Sequence, residues 1–247
     1  MSRKIEAIIV CKNYSDFLQI TLPINKDHFD NVIIVSSQDD ELTQNLCKKF
    51  NVNCLIYNDF NKNSAKFNFG GARSFGLQNL KYNDWVIIMD GDIIMPNNFR
   101  ELFDINTRDI NKFYGSYRRF VPSYKDYKDL INNIKSKNEF EAIEGSGCGF
   151  WQCVNLNSDL IKNYNKKSLY RDSYSAEQVD IDFMRLWCPR IGDDTNLVRT
   201  NIELLHLGSS DGRHHHGRNL IDDFFDNTYN NMENNTPEIK LIQQKIQ

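Results

Sequence analysis

The feature that most narrows what this chain can fold into is a rhythm in its first ninety residues, where short apolar runs alternate with amphipathic ones. Residues 5–11 (Ile-Glu-Ala-Ile-Ile-Val-Cys) read as a buried strand, and 14–22 as a short helix stopped at Pro23, whose ring opposes helix continuation. A second strand runs from Asn31 to Val35, and a helix follows through Phe50. Asp39, Asp40 and Glu41 lie near that helix start, where acidic groups complement the dipole. Cys54 to Tyr57 reads as a third strand, 71–80 as a helix after Gly70-Gly71, and Trp85 to Met89 as a strongly apolar fourth strand. Continuous apolar strands alternating with helices predict an α/β fold, a mostly parallel central sheet with helices on both faces. Ligands bind such sheets beyond the carboxyl ends of the strands. Asp90-Gly91-Asp92 stands at such an end.

Composition excludes several classes. A chain of 247 residues with a net charge of −3 and a pI near 6.0 lacks the basic face expected of a nucleic-acid binder. No apolar run has the length of a membrane span, and the polar start Met1-Ser2-Arg3-Lys4 lacks a signal-peptide core, so a cytoplasmic protein is expected. The six cysteines include no Cys-x-x-Cys pair, which favours buried reduced thiols over a zinc ribbon or a disulfide framework.

Residues two apart on an extended chain project to the same side, so Asp90 and Asp92 can face one ligand. Gly91 between them lets a bulky phosphate approach the backbone. Two hard carboxylates without thiolate partners suit Mg²⁺ or Mn²⁺, which bridges diphosphate oxygens and neutralises charge as a nucleotide leaves. The same residues fit a haloacid-dehalogenase-type phosphotransferase, with Gly192-Asp193-Asp194 as a later acidic motif. Ile94 stands where that family wants Thr or Val, and a whole sheet precedes the motif. A nucleotidylyltransferase shares the sheet but needs a glycine-rich loop after the first strand, and Cys11-Lys12-Asn13-Tyr14 has no glycine. A non-catalytic sugar-binding derivative is a further alternative.

The order of these pieces resembles the nucleotide-sugar half of GT-A-fold glycosyltransferases, in particular the family 2-like group. Ile8 to Asn13 resembles the first strand and its terminal Asn. Gly70-Gly71-Ala72-Arg73-Ser74-Phe75-Gly76-Leu77 resembles the Gly-Ala-Arg helix, and Asp90-Gly91-Asp92 the metal motif. The resemblance implies that Asp90 approaches ribose and metal, that Asp92 ligates the metal, and that Arg73 braces the acidic site or nucleotide. Such enzymes usually read the nucleobase with an Asp after the second strand. Ser37 holds that position here, so the donor reads as a UDP- or GDP-sugar without a choice between them.

An inverting transfer needs a carboxylate to take the acceptor hydroxyl proton. Glu177-Gln178-Val179-Asp180-Ile181-Asp182-Phe183 resembles the family's acidic base motif, which selects Asp180 as base with Asp182 and Glu177 in reserve. Glu144 to Trp151 resembles the glycine loop bordering donor sugar and acceptor, which places Gly147 at the donor, while Trp151 reads as core. His206 fits the late histidine that completes the metal site in many GT-A enzymes. Arg213 and Arg218 are phosphate-pairing candidates, since guanidinium matches phosphate oxygens, and His214-His215-His216 reads as a solvated loop. Together these imply a nucleotide-sugar-binding half (1–95), an acceptor and catalytic lobe (96–220) acting on a glycan or protein acceptor, and a polar helical tail (221–247).

Overall fold

The computed structural model describes residues 3–65, 67–144, 149–173, 179–190 and 194–208. The first half builds β1 (Ile5–Val10), α1 (Ser15–Asn25), β2 (Asn31–Ser36), α2 (Glu41–Phe50), β3 (Asn53–Ile56), α3 (Phe69–Gln78) and β4 (Trp85–Met89). The second adds β5 (Ile93–Ile94), α4 (Phe99–Asn106), β6 (Phe113–Val121), α5 (Tyr124–Ile131), β7 (Ala142–Glu144), β8 (Trp151–Asn155), α6 (Lys166–Leu169), α7 (Val179–Met184) and β9 (Leu197–Leu207). The strands form one sheet in the order β3-β2-β1-β4-β8-β6-β9-β5, with β7 paired to β6. β3, β2, β1 and β4 are mutually parallel. β8 runs antiparallel to β4, and β6 and β9 pair in parallel beyond it. The sheet therefore continues through the second half of the chain.

Alternation along the strands separates two cores. Odd-numbered β1 and β4 residues (Ile5, Ala7, Ile9, Trp85, Ile87, Met89) pack with Leu18 and Leu22 of α1, Leu46 of α2 and Phe99 and Phe103 of α4. Even-numbered ones (Ile8, Val10, Val86, Ile88) pack with Ala72 and Leu77 of α3, Leu169 of α6 and Phe183 of α7. Helices thus cover both faces, which is why these strands are apolar on both sides. Gly76 brings α3 close to the sheet, since a Cβ there would lie 2.8 Å from Ile8 Cγ2.

Two local expectations change. α1 does not stop at Pro23 but continues through it to Asn25. A proline in the last turn removes one i→i−4 bond, not the remainder of a helix. α3 begins at Phe69 rather than 71, because the Asn68 side chain caps it by accepting from Gly71 N–H at 3.0 Å. No described helix is long and apolar enough to cross a membrane. The described cysteines are free thiols, all buried except half-buried Cys54; Cys148 lies outside the described residues.

Candidate active site

The carboxyl ends of the parallel strands collect most of the residues singled out above. Asn13 follows β1 in the left-handed region (φ 61). Its backbone N–H donates to Asp40 Oδ2 at 2.7 Å. Asp40 also accepts from the Ser36 hydroxyl at 3.0 Å and caps α2 through Thr43 N–H at 3.2 Å. Asp40 is thus a buried tie between two strand ends. Asp39 is exposed and pairs with Lys12 at 2.8 Å. Ser37 is buried directly after β2, on the same sheet edge as Asn13.

Asp90 and Gly91 continue the alternation of β4. Asp90 falls on the α3 side. A Cβ at Gly91 would lie 3.4 Å from Leu18 and Tyr14, toward α1, which is ordinary contact, so the internal packing does not itself demand glycine there. Thr21 and Asn25, one helical turn apart on α1, hold the acidic turn from that side. The Thr21 hydroxyl donates to Gly91 O at 2.7 Å. Asn25 Nδ2 donates to Ile93 O at 2.6 Å, and Asn25 Oδ1 accepts from Met95 N–H at 2.9 Å. These two were missed in the sequence, although polar residues four apart on an otherwise apolar helix face mark them.

Burial pushes the Asp90 carboxyl up to about 6. The neighbouring Asp92 and Asp180 charges act in the same direction, and Arg73 and His206 oppose them. Asp180, from the start of α7, makes an ion pair with Arg73 Nη1 of α3. Arg73 is fully buried, its guanidinium 4.0 Å from the Phe69 ring. Asp182 points outward to Arg185 at 3.2 Å. Of the described base candidates, Asp180 alone turns toward the acidic turn; Glu177 lies outside the described residues. The short approach of 171–173 to α3 depends on Gly70, where a Cβ would meet Arg171 O at 2.0 Å.

β5 and β9 deliver the remaining pair. Ile93 stands opposite His206, and Leu207 N–H donates to Asp92 O at 3.0 Å. This places His206 Nε2 3.4 Å from Asp92 Oδ1. That oxygen is buried and has no hydrogen-bond partner among the described residues, so the 3.4 Å approach is not a hydrogen bond. No three His, Cys, Asp or Glu side chains among the described residues form a ready metal cage. Of the expected ligands Asp90, Asp92 and His206, the structure brings Asp92 and His206 to 3.4 Å of each other, with Asp90 nearby. Aspartates two apart at a strand end need not aim at one point, and Asp90 follows β4 toward Arg73. Trp151 is core, paired with Met89. Gly147, Arg213, His214-His215-His216, Arg218, Gly192-Asp193 and the 221–247 tail lie outside the described residues.

No protein-family model matches the sequence, and no curated protein matches it. Solved structures do. Glucosyl-3-phosphoglycerate synthase from Mycobacterium tuberculosis, in complex with Mn²⁺, UDP-glucose and phosphoglyceric acid, superposes with a TM-score of 0.51. It is 13% identical, over 85% of this chain and 74% of that one. A second structure of that synthase gives 0.50 at 13% identity, covering 86% and 74%. A mycobacterial protein gives 0.51 at 14% identity, covering 85% and 69%. The chain has the GT-A fold. At such identities the likeness concerns the GT-A framework; the roles of individual side chains rest on their own geometry.

Proposed function

We propose that the protein moves a sugar from a nucleoside-diphosphate donor, a UDP- or GDP-sugar, to a hydroxyl of a glycan or protein acceptor, with Mn²⁺ or Mg²⁺ as cofactor. One observation carries the reading. Arg73, Asp90, Asp92, Asp180 and His206 come from α3, the β4–β5 turn, α7 and β9, and they converge where GT-A-type sheets bind ligands.

The donor set suits a divalent cation. A buried carboxylate oxygen without a hydrogen-bond partner, as at Asp92 Oδ1, carries an uncompensated cost that such an ion relieves. Asp92 would be the primary ligand, with Asp90 and His206 beside it, and diphosphate and water oxygens would fill the other positions. When bound, the ion supplies electrostatic stabilisation of the departing diphosphate. The fold neighbour solved with Mn²⁺ and UDP-glucose holds ligands of the class assigned here.

The chain's own residues supply the rest. Asp180 would receive the acceptor proton on Oδ2 while Arg73 engages Oδ1 and fixes the carboxylate's orientation. Attack opposite the diphosphate then inverts the anomeric centre. Asn13 and Ser37 flank the nucleoside, Gly91 and Arg73 the phosphate side, and Gly147 and Arg218 the sugar and diphosphate. On this reading residues 1–95 bind donor, 96–220 bind acceptor and supply the base, and 221–247 form a tail.

The test is a thermal-shift and hydrolysis screen of nucleotide sugars with and without Mn²⁺. One nucleotide class should stabilise the protein, and only with metal present. Phosphate release from a phosphomonoester, with no response to any nucleotide sugar, would favour the phosphotransferase alternative. Metal-dependent binding without hydrolysis or transfer would favour the non-catalytic one.

A further inference from the structure

Arg118 stands outside every motif in the sequence, yet it holds His206 from the side opposite Asp92. It precedes Phe120 by two residues on β6, and Phe120 lies directly beside His206 of β9. Its guanidinium sits 4.6 Å from the Phe120 ring centroid and 4.2 Å from that of Phe150. The His206 ring stacks on Phe120 at 4.8 Å. Arg118 Nη1 is 3.0 Å from His206 Nδ1, while His206 Nε2 faces Asp92 Oδ1.

A guanidinium has donors only. Nδ1 must therefore accept, and a neutral imidazole that accepts at Nδ1 carries its proton on Nε2. That nitrogen lies on the Asp92 side, 3.4 Å from Oδ1. We propose that Arg118 is a positioning residue that locks His206 in the Nε2–H tautomer and so withholds Nε2 from the metal. The inference rests on the metal reading above, because withholding a ligand matters only where a cation binds.

Metal-ligating histidines have the opposite polarity behind them. Their outer nitrogen donates to a carboxylate or carbonyl, which raises the basicity of the ligating nitrogen. Arg118 presents an N–H and a positive charge instead. His206 can join the ion through Nε2 only as the Nδ1–H tautomer, with Arg118 turned to an anion. A diphosphate is such an anion, matched to a guanidinium fork. The device thus ties completion of the ligand set to arrival of the donor.

The experiment is long-range ¹H–¹⁵N correlation on ¹⁵N-histidine-labelled protein at pH 8, with His206 assigned by its loss in His206→Gln. The wild type and Arg118→Lys, which keeps a donor and the charge, should show the Nε2–H pattern. Arg118→Met, which keeps the apolar stem between the two rings, should show Nδ1–H or a mixture. Mn²⁺ binding without nucleotide, followed by water-proton relaxation, should then be roughly tenfold tighter in Arg118→Met. An Nδ1–H pattern in the wild type, an unchanged tautomer in Arg118→Met, or an affinity that is unchanged or weaker overturns the inference. Absence of Mn²⁺ binding in both proteins, with and without nucleotide, would instead remove the metal reading and with it the withholding role; the spectra would still decide the tautomer.

Discussion

Replacing Asn25 should loosen the acidic turn more than any comparable change on α1. Among the described residues β5 is the last strand of its sheet, and its outer edge presents Ile93 O and Met95 N–H, two groups a neighbouring strand would normally satisfy. Asn25 takes that strand's place with one side chain, donating to the first and accepting from the second. Ile93 and Met95 are buried, and Asn25 is 1% exposed, so water does not readily substitute. Asn25→Ala leaves two buried backbone groups without their partner, at about 1–3 kcal/mol each, or about 2–6 kcal/mol together. For a chain of this size that corresponds to a fall in Tm of roughly 4–24 °C. Thr21→Val removes one donor with little change of shape and should cost about 1–2 kcal/mol. Urea denaturation of the two single variants and the double variant measures both terms and their coupling. A loss below about 0.5 kcal/mol for Asn25→Ala, the range of an indifferent surface change, would refute the edge-pairing argument.

Further perturbations follow from other contacts of the fold. Asp180→Asn strands the buried Arg73 charge and should lower stability by about 3–5 kcal/mol in chemical denaturation, beyond any effect on activity; unchanged stability would mean the pair contributes little. Gly70→Ala places a methyl against the Arg171 carbonyl and should cost about 1–3 kcal/mol, whereas Gly91→Ala should fold normally, as read by Tm. At Asp30, burial raises the carboxyl, but hydrogen bonds from Lys4, Ile5 N–H and Arg100 outweigh it and hold the pKa at about 2. The depressed value means Asp30 stabilises the fold fully above the unfolded carboxylate pKa of about 3.9 and loses that contribution as pH falls through about 2. Its partners are partly exposed, so about 1–2 kcal/mol is expected. Asp30→Asn should remove that amount at pH 7 and almost none at pH 2.

The parallel half of the sheet was legible because strands covered on both faces are almost continuously apolar, as in Trp85–Met89 and in Ile5–Val10, where only Glu6 is polar and its carboxylate is tied to the N–H groups of Lys81, Tyr82 and Asn83. The base motif was legible in part: Asp180 and Asp182 look equivalent in sequence, and only the turn of α7 against α3 sends one inward and the other to solvent. The end of α1 was misread because proline's cost depends on how much helix follows it. The β5–β9 pairing was not readable. A two-residue strand carries no periodicity, and its partner lies more than a hundred residues away. Arg118 was hidden for a similar reason, since its role exists only once β6 lies beside β9.

The most direct test of the central claim is nucleotide-sugar hydrolysis, with the donor selected by thermal shift, by wild type and Asp92→Ala at fixed Mn²⁺. The account predicts metal-dependent hydrolysis by the wild type. It also predicts that Asp92→Ala remains folded, loses the Mn²⁺-dependent stabilisation by donor, and loses hydrolysis by at least tenfold. An Asp92→Ala protein that binds Mn²⁺ and donor and hydrolyses it like the parent would contradict the assignment of the metal to the Asp90-Gly91-Asp92 turn.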